Sequence, residues 1–256
     1  MMFNIEIQLE PKRKSLYEEA IRRLRSIYVS NDVDTAPDAR IVGPENTISN
    51  QGVPCLVDQP ERIDSLTLAS LIKSDAQIMP AHALRFSSRV KPIDEALRAG
   101  KLGKAGLMRL HYWATEGASL RQAMFGPMDL ARWFFQDEPS MRQCVETKHS
   151  LLCHLQFPSD GMALMNVSNP FEGEVPYESV QLIGATGAAY GDDHHNTHLH
   201  FRKNSVSARI HHHNIMHGLM GLVSEFVDGI LNDRDWNVSL KDTLRTHELL
   251  VELVDG

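Results

Sequence analysis

Phe3-Asn4-Ile5-Glu6-Ile7-Gln8-Leu9 alternates apolar and polar residues one by one, the period-2 pattern of a strand buried on one face. Leu16, Ala20, Ile21 and Leu24 then recur at helical spacing behind Ser15 as N-cap, and a short apolar run from Ser26 to Ser30 follows. The chain therefore opens β-α-β. Asp, Pro, Asn and Gly mark 32–51 as mainly loop, with Ile41-Val42 as a brief strand. A strand over Val53–Val57, a helix over 61–74 and a short strand from Ala76 to Met79 complete an α/β first part.

Beyond Phe86 the pattern predicts a helix from Val90 to Ala99 stopped by Gly100, a strand from Gly106 to Ala114 and a helix from Met128 to Phe135. Strand-like runs follow at 154–157, 163–167, 179–183 and 197–201, which reads as a sheet with helices on one side. Two helices close the chain. One runs from Asn214 to Leu231; the other is capped by Ser239, with Asp242 three residues on completing a capping box.

At 256 residues, 42% apolar and 23% charged, the composition is that of a globular protein. A net charge of -7 and a pI near 6.0 exclude the basic stripe of a nucleic-acid binder. No apolar stretch reaches membrane-spanning length, and the N-terminus lacks the basic and apolar regions of a signal peptide. Cys55, Cys144 and Cys153 are odd in number and show no CxxC spacing, so reduced thiols and a cytoplasmic location are expected.

Four segments, in order, resemble the Gfo/Idh/MocA family of sugar-type oxidoreductases. Gly52-Val53-Pro54-Cys55-Leu56-Val57-Asp58-Gln59-Pro60 resembles the family's strand ending in Glu-Lys-Pro. His82-Ala83-Leu84-Arg85-Phe86 with Leu97-Arg98-Ala99-Gly100-Lys101-Leu102-Gly103 is similar to its "RF … G-x-L-G" passage. Asp129-Leu130-Ala131-Arg132-Trp133-Phe134-Phe135 is similar to the helix after its catalytic His, and Glu225–Leu231 with Val238–Asp242 to its closing helices. The resemblance covers 52–256. It implies an α/β (α+β) fold: a truncated Rossmann-like domain, taken as 1–82, before a C-terminal α/β domain, 83–256, with a large, mostly antiparallel sheet. In the family that sheet commonly makes the subunit interface, so a homo-oligomer, or a hetero-oligomer with an active homologue, is expected.

The chemistry the resemblance implies meets altered residues. A dinucleotide site needs glycines at the first β-α turn, so that the backbone approaches the pyrophosphate at a helix N-terminus. Leu9-Glu10-Pro11-Lys12-Arg13-Lys14-Ser15 contains none. Lys12 and Arg13 either attract a phosphate or form a solvated helix start, and Asp32 falls where a ribose-binding acid would stand. Aligned on the family, Gln59 takes the place of its catalytic Lys, and Gln122 and Gly126 those of its Asp and His. Gln cannot exchange a proton near neutral pH, and glycine has no side chain. Asp58, Gln59, His82, Arg85 and Trp113 remain candidates for a small hydroxyl-rich or carboxylate ligand, with a structural network or packing as the alternative.

Eight of 13 histidines fall between 194 and 217: His194, His195, His198, His200, His211, His212, His213 and His217. His198, His200, His213 and His217 are candidate transition-metal ligands, against polar, half-exposed histidines or a pH-responsive interface. The resulting expectation is a degenerate family member: an accessory, regulatory or sugar-like-ligand-binding protein, with no cofactor firmly implied. The alternatives are an NAD(P)-dependent oxidoreductase of a polyol or sugar, and a metal-dependent lyase, isomerase or hydrolase.

Overall fold

The computed structural model describes residues 3–25, 27–29, 36–46, 52–74, 76–114, 118–169, 177–192, 197–201, 205–208 and 214–252. Two compact units emerge: Met1–Ser87 with Ile215–Glu248, and Ser88–Asn214 with Leu249–Gly256.

The first unit is built on five parallel strands, β1 (Phe3–Gln8), β2 (Ile27–Val29), β3 (Ala39–Val42), β4 (Cys55–Val57) and β5 (Ile78–Pro80), in the order β2-β1-β3-β4-β5. Strand order reverses between β1 and β3, the switch point where open α/β sheets hold ligands. Neighbouring residues on one strand feed opposite cores. Ile41, Leu56 and Met79 join α1 (Pro11–Arg22) and α5 (Asn214–Leu231) through Tyr17, Ile21, Leu222 and Phe226. Val42, Val57 and Ile78 join α2 (Ser65–Ile72) and Leu240 of α6 (Leu240–Glu252). The sequence reading placed everything from 83 onward in one domain, whereas 215–248 group with the first sheet. Periodicity shows that α5 has an apolar face; it does not show which sheet that face meets.

The second unit is an eight-stranded sheet, ordered β13-β12-β11-β10-β6-β9-β8-β7, in which only β6 and β9 pair parallel. Its strands are β6 (Ala105–Trp113), β7 (Met141–Glu146), β8 (Ser150–Gln156), β9 (Met162–Ser168), β10 (Glu178–Gly184), β11 (Gly187–Asp192), β12 (Thr197–Phe201) and β13 (Ser205–Ala208). Met108, Leu110, Met165, Val167 and Leu182 are buried on one face, where α3 (Val90–Arg98) and α4 (Leu120–Phe135) pack. The alternate residues Arg109, His111 and Trp113 are exposed. The mostly antiparallel sheet and the parallel Rossmann-type sheet are the fold class the sequence implies.

Three local readings change. α1 begins at Pro11 with Glu10 as N-cap, so Ser15 lies inside it; Pro at the first helical position loses no hydrogen bond there. α4 runs through Pro127, a residue that costs a helix interior about 3 kcal/mol. Burial of Leu120, Met124, Phe125, Met128, Leu130 and Phe134 along the whole helix outweighs that local cost. Cys144 and Cys153 are not free thiols but a disulfide between directly opposed residues of β7 and β8; pairing across a hairpin is invisible to cysteine spacing alone. Only Cys55 is free.

The caps follow the sequence. Gly100 ends α3 at φ 70°, a left-handed conformation that suits a residue without Cβ. Ser239 Oγ accepts from Asp242 N at 3.2 Å while Asp242 Oδ2 accepts from Ser239 N at 3.0 Å. Ser239→Ala is therefore expected to lower stability by about 1 kcal/mol in urea unfolding; an unchanged midpoint contradicts a working cap.

Candidate functional site

The carboxyl ends of parallel strands leave backbone groups without sheet partners, and polar side chains collect there. In the first unit Asp58 leaves the end of β4 and is 2% exposed. Arg13, in the first turn of α1, grips it with both prongs of its guanidinium: Nε donates to Oδ2 at 2.8 Å and Nη2 to Oδ1 at 2.5 Å. Tyr17, one turn further along α1 and fully buried, donates its hydroxyl to Oδ1 at 2.9 Å. Burial and the Asp58 charge hold the Tyr17 phenol well above its ordinary pKa. Arg13, which sequence reading left between phosphate ligand and solvated side chain, is thus spent on Asp58.

Gln59 follows in the left-handed region, φ 51° and ψ 55°, uncommon for a residue with a Cβ. Its Oε1 accepts from Arg62 Nη1 at 3.0 Å. Glu61, two residues on, has its carboxyl pushed above the usual range by burial, with the Asp58 charge adding to the rise and Arg13 and Arg62 opposing it.

His82, beyond β5, is buried, with Nε2 2.8 Å from Thr243 Oγ1 on α6. One turn along, His247 donates from Nε2 to the Pro60 carbonyl at 3.3 Å, because a carbonyl can only accept. Arg85, also buried, donates to the Asn237 carbonyl at 2.9 Å. α6 and its leading loop are thereby fastened to the ends of β4 and β5. Burial, with help from His82, lowers the His247 pKa from its usual 6.5. Between the lowered value and 6.5 the unfolded chain binds more protons than the folded one, so stability falls as pH drops below about 6.5. His247→Gln, which keeps a donor for Pro60, should flatten that slope in urea midpoints measured from pH 7.5 to about 5; an unaltered slope removes His247 as its source.

At the switch point, Gln8 O accepts from Gly43 N at 3.3 Å and from the Asn46 side-chain amide, linking the end of β1 to the loop after β3. The start of α1 offers a phosphate little. Pro11 has no N–H, and Glu10 puts a carboxylate at the positive end of the helix dipole. Lys12 is exposed. The residues at this turn do not fit a dinucleotide pyrophosphate.

The remaining predicted positions lie elsewhere. Gln122 and Gly126 stand one turn apart on α4 in the second unit, with Gln122 exposed. Trp113 ends β6 there, half-exposed, its ring centroid 5.0 Å from that of Tyr177. Asp32 and His213 fall outside the described residues, as do the side chains of His198 and His200 on β12; His217 is exposed on α5. Among the described residues no three His, Cys, Asp or Glu side chains are grouped to hold a metal ion. Sequence reading missed Tyr17, Glu61, Thr243 and His247. The four-residue spacings of Arg13 with Tyr17 and of Thr243 with His247 were the available signal, since such pairs share a helix face.

No protein family matches the chain by sequence, and no curated protein does. Solved structures do match in fold. A dehydrogenase from Chromobacterium violaceum superposes with TM-score 0.81 at 15% identity, over 99% of this chain and 95% of that one. A myo-inositol dehydrogenase from Corynebacterium glutamicum matches at 0.79 and 10%, over 100% and 96%. An oxidoreductase from Agrobacterium radiobacter, solved with NAD+, L-tartaric acid and magnesium, matches at 0.77 and 12%, over 100% and 96%. The chain has the fold of these dehydrogenases, the fold implied by its resemblance to the Gfo/Idh/MocA family. Among the described residues no helix is long and apolar enough to cross a membrane.

Proposed function

We propose that this chain keeps a dehydrogenase fold without its dinucleotide-dependent chemistry, and acts as an accessory or regulatory protein that binds a sugar-like, hydroxyl-rich or carboxylate ligand. The observation that carries this reading is the Arg13–Asp58–Tyr17 cluster. Arg13, a cation at the first β-α turn, is committed to a buried carboxylate, and the turn itself presents Glu10 and Pro11 instead of glycines. Gln59, Gln122 and Gly126, at the family's proton-handling positions, support it further. A second copy or an active homologue would meet the exposed sheet face that carries Trp113, Leu152 and Met162.

Titration with NADH and NADPH, followed by nicotinamide fluorescence, tests the reading. No saturable binding is expected up to millimolar cofactor. Saturation at micromolar concentration overturns it and restores an oxidoreductase of polyols or sugar acids. One observation favours that second reading: Glu61, two residues beyond Gln59, is a carboxyl group that burial holds above its ordinary pKa, the kind of perturbed titratable group found at catalytic sites. Under it, Glu61→Gln abolishes turnover while leaving cofactor affinity unchanged.

A further inference from the structure

β7 is the last strand of its sheet. Its Cys144 stands directly opposite Cys153 of β8, with Cα atoms 4.2 Å apart. The ladder from Met141↔Gln156 to Glu146↔Leu151 aligns the two residues by backbone pairing, so the sulfurs stay neighbours whether or not they are bonded. They differ in access. Cys153 is fully buried, and across from it on β9 lies Met165, also fully buried. Cys144 is only half-buried, and among the described residues no strand lies beyond it.

Thiol–disulfide exchange requires the attacking thiolate to approach along the S–S axis, from behind the sulfur it attacks. Behind Cys153 stands Met165; behind Cys144 no described strand continues the sheet. We propose that Cys144–Cys153 is a reversible exchange site for dithiol reductants, and that Cys144 is the sulfur attacked. One thiolate of the dithiol bonds to Cys144 Sγ; the S–S bond breaks and Cys153 departs with its electron pair, taking a proton from solvent. The dithiol's second thiolate then attacks its own sulfur in the mixed disulfide and releases Cys144, which is protonated in turn. The dithiol loses two electrons and closes to a disulfide, and the protein gains two thiols. Cys55 is the internal reference, buried at the start of β4 with its thiol pKa pushed up.

The test poises the native full-length protein in graded ratios of reduced to oxidised dithiothreitol, alkylates it without denaturant and counts modified cysteines by mass. One modified thiol, at Cys144, should appear and disappear on reoxidation, with far-UV circular dichroism constant and the buried Cys153 and Cys55 both unmodified. Cys153→Ser treated with oxidised glutathione should form an adduct at Cys144 at least ten times faster than Cys144→Ser forms one at Cys153. A Cys144 thiol that emerges only in denaturant overturns the proposal, as does equal reactivity of the two cysteines. A Cys144 thiol that persists in oxidised dithiothreitol overturns it as well. The wild-type count decides the matter even if a serine variant fails to fold.

Discussion

Arg13→Ala is expected to destabilise the protein by about 3 kcal/mol, the lower end of the cost of removing one partner from a buried ion pair. The lower end applies because the Arg13 side chain is 25% exposed, against 3% for Asp58. Without the guanidinium, the buried Asp58 carboxyl is left with the Tyr17 hydroxyl as its one side-chain donor among the described residues. The asymmetry gives a second expectation. Asp58→Ala should cost less, since Arg13 can turn its charged end to water, and the double variant less than the sum of the two singles. Tyr17→Phe should cost about 1.5 to 3 kcal/mol, one hydrogen bond to a charged acceptor being lost without a new cavity. Urea unfolding of the four variants checks the set. A cost for Arg13→Ala below about 1 kcal/mol would mean water reaches Asp58, and Arg13 would then be less committed to it than the geometry indicates. The same variants, titrated with NADH, ask whether freeing the turn from Asp58 recovers any nucleotide affinity.

The largest effect expected is that of Phe226→Ala, about 3 to 5 kcal/mol for a fully buried phenyl ring. Phe226 sits mid-way along α5, fully buried in the core that also holds Ile5, Ile41 and Leu56 from the parallel sheet. Its carbonyl accepts from Trp236 Nε1 at 3.0 Å, and the two rings lie 5.7 Å apart. Trp236 emission therefore reports on the site directly. The variant should unfold at lower urea with an early change in tryptophan fluorescence. A loss under about 1 kcal/mol would show that α5 does not complete the first unit, and would return it to the domain in which sequence reading placed it.

The fold was largely legible because its signals are local. Alternation in Phe3–Leu9 makes a strand because successive side chains point to opposite faces; Ser239 with Asp242, and Gly100, mark helix ends because cap bonds span only three or four residues. The candidate site was legible in part. Arg13, Asp58, Gln59, His82 and Arg85 stand out as residue types in a recognisable order, yet their partners lie far along the chain: Asp58 is 45 residues from Arg13, and Thr243 is 161 from His82. Nothing in spacing or periodicity encodes such pairings.

By itself, then, the sequence determined the succession of strands and helices, the caps, and a first β-α turn without glycine. Only the tertiary structure decided that Arg13 closes on Asp58, that Cys144 meets Cys153, that α4 continues through Pro127, and that the closing helices complete the first sheet. Each of these depends on burial against residues distant in sequence. Burial sets whether a charge must be paired, whether a proline's cost is outweighed and which sheet an apolar helix face covers.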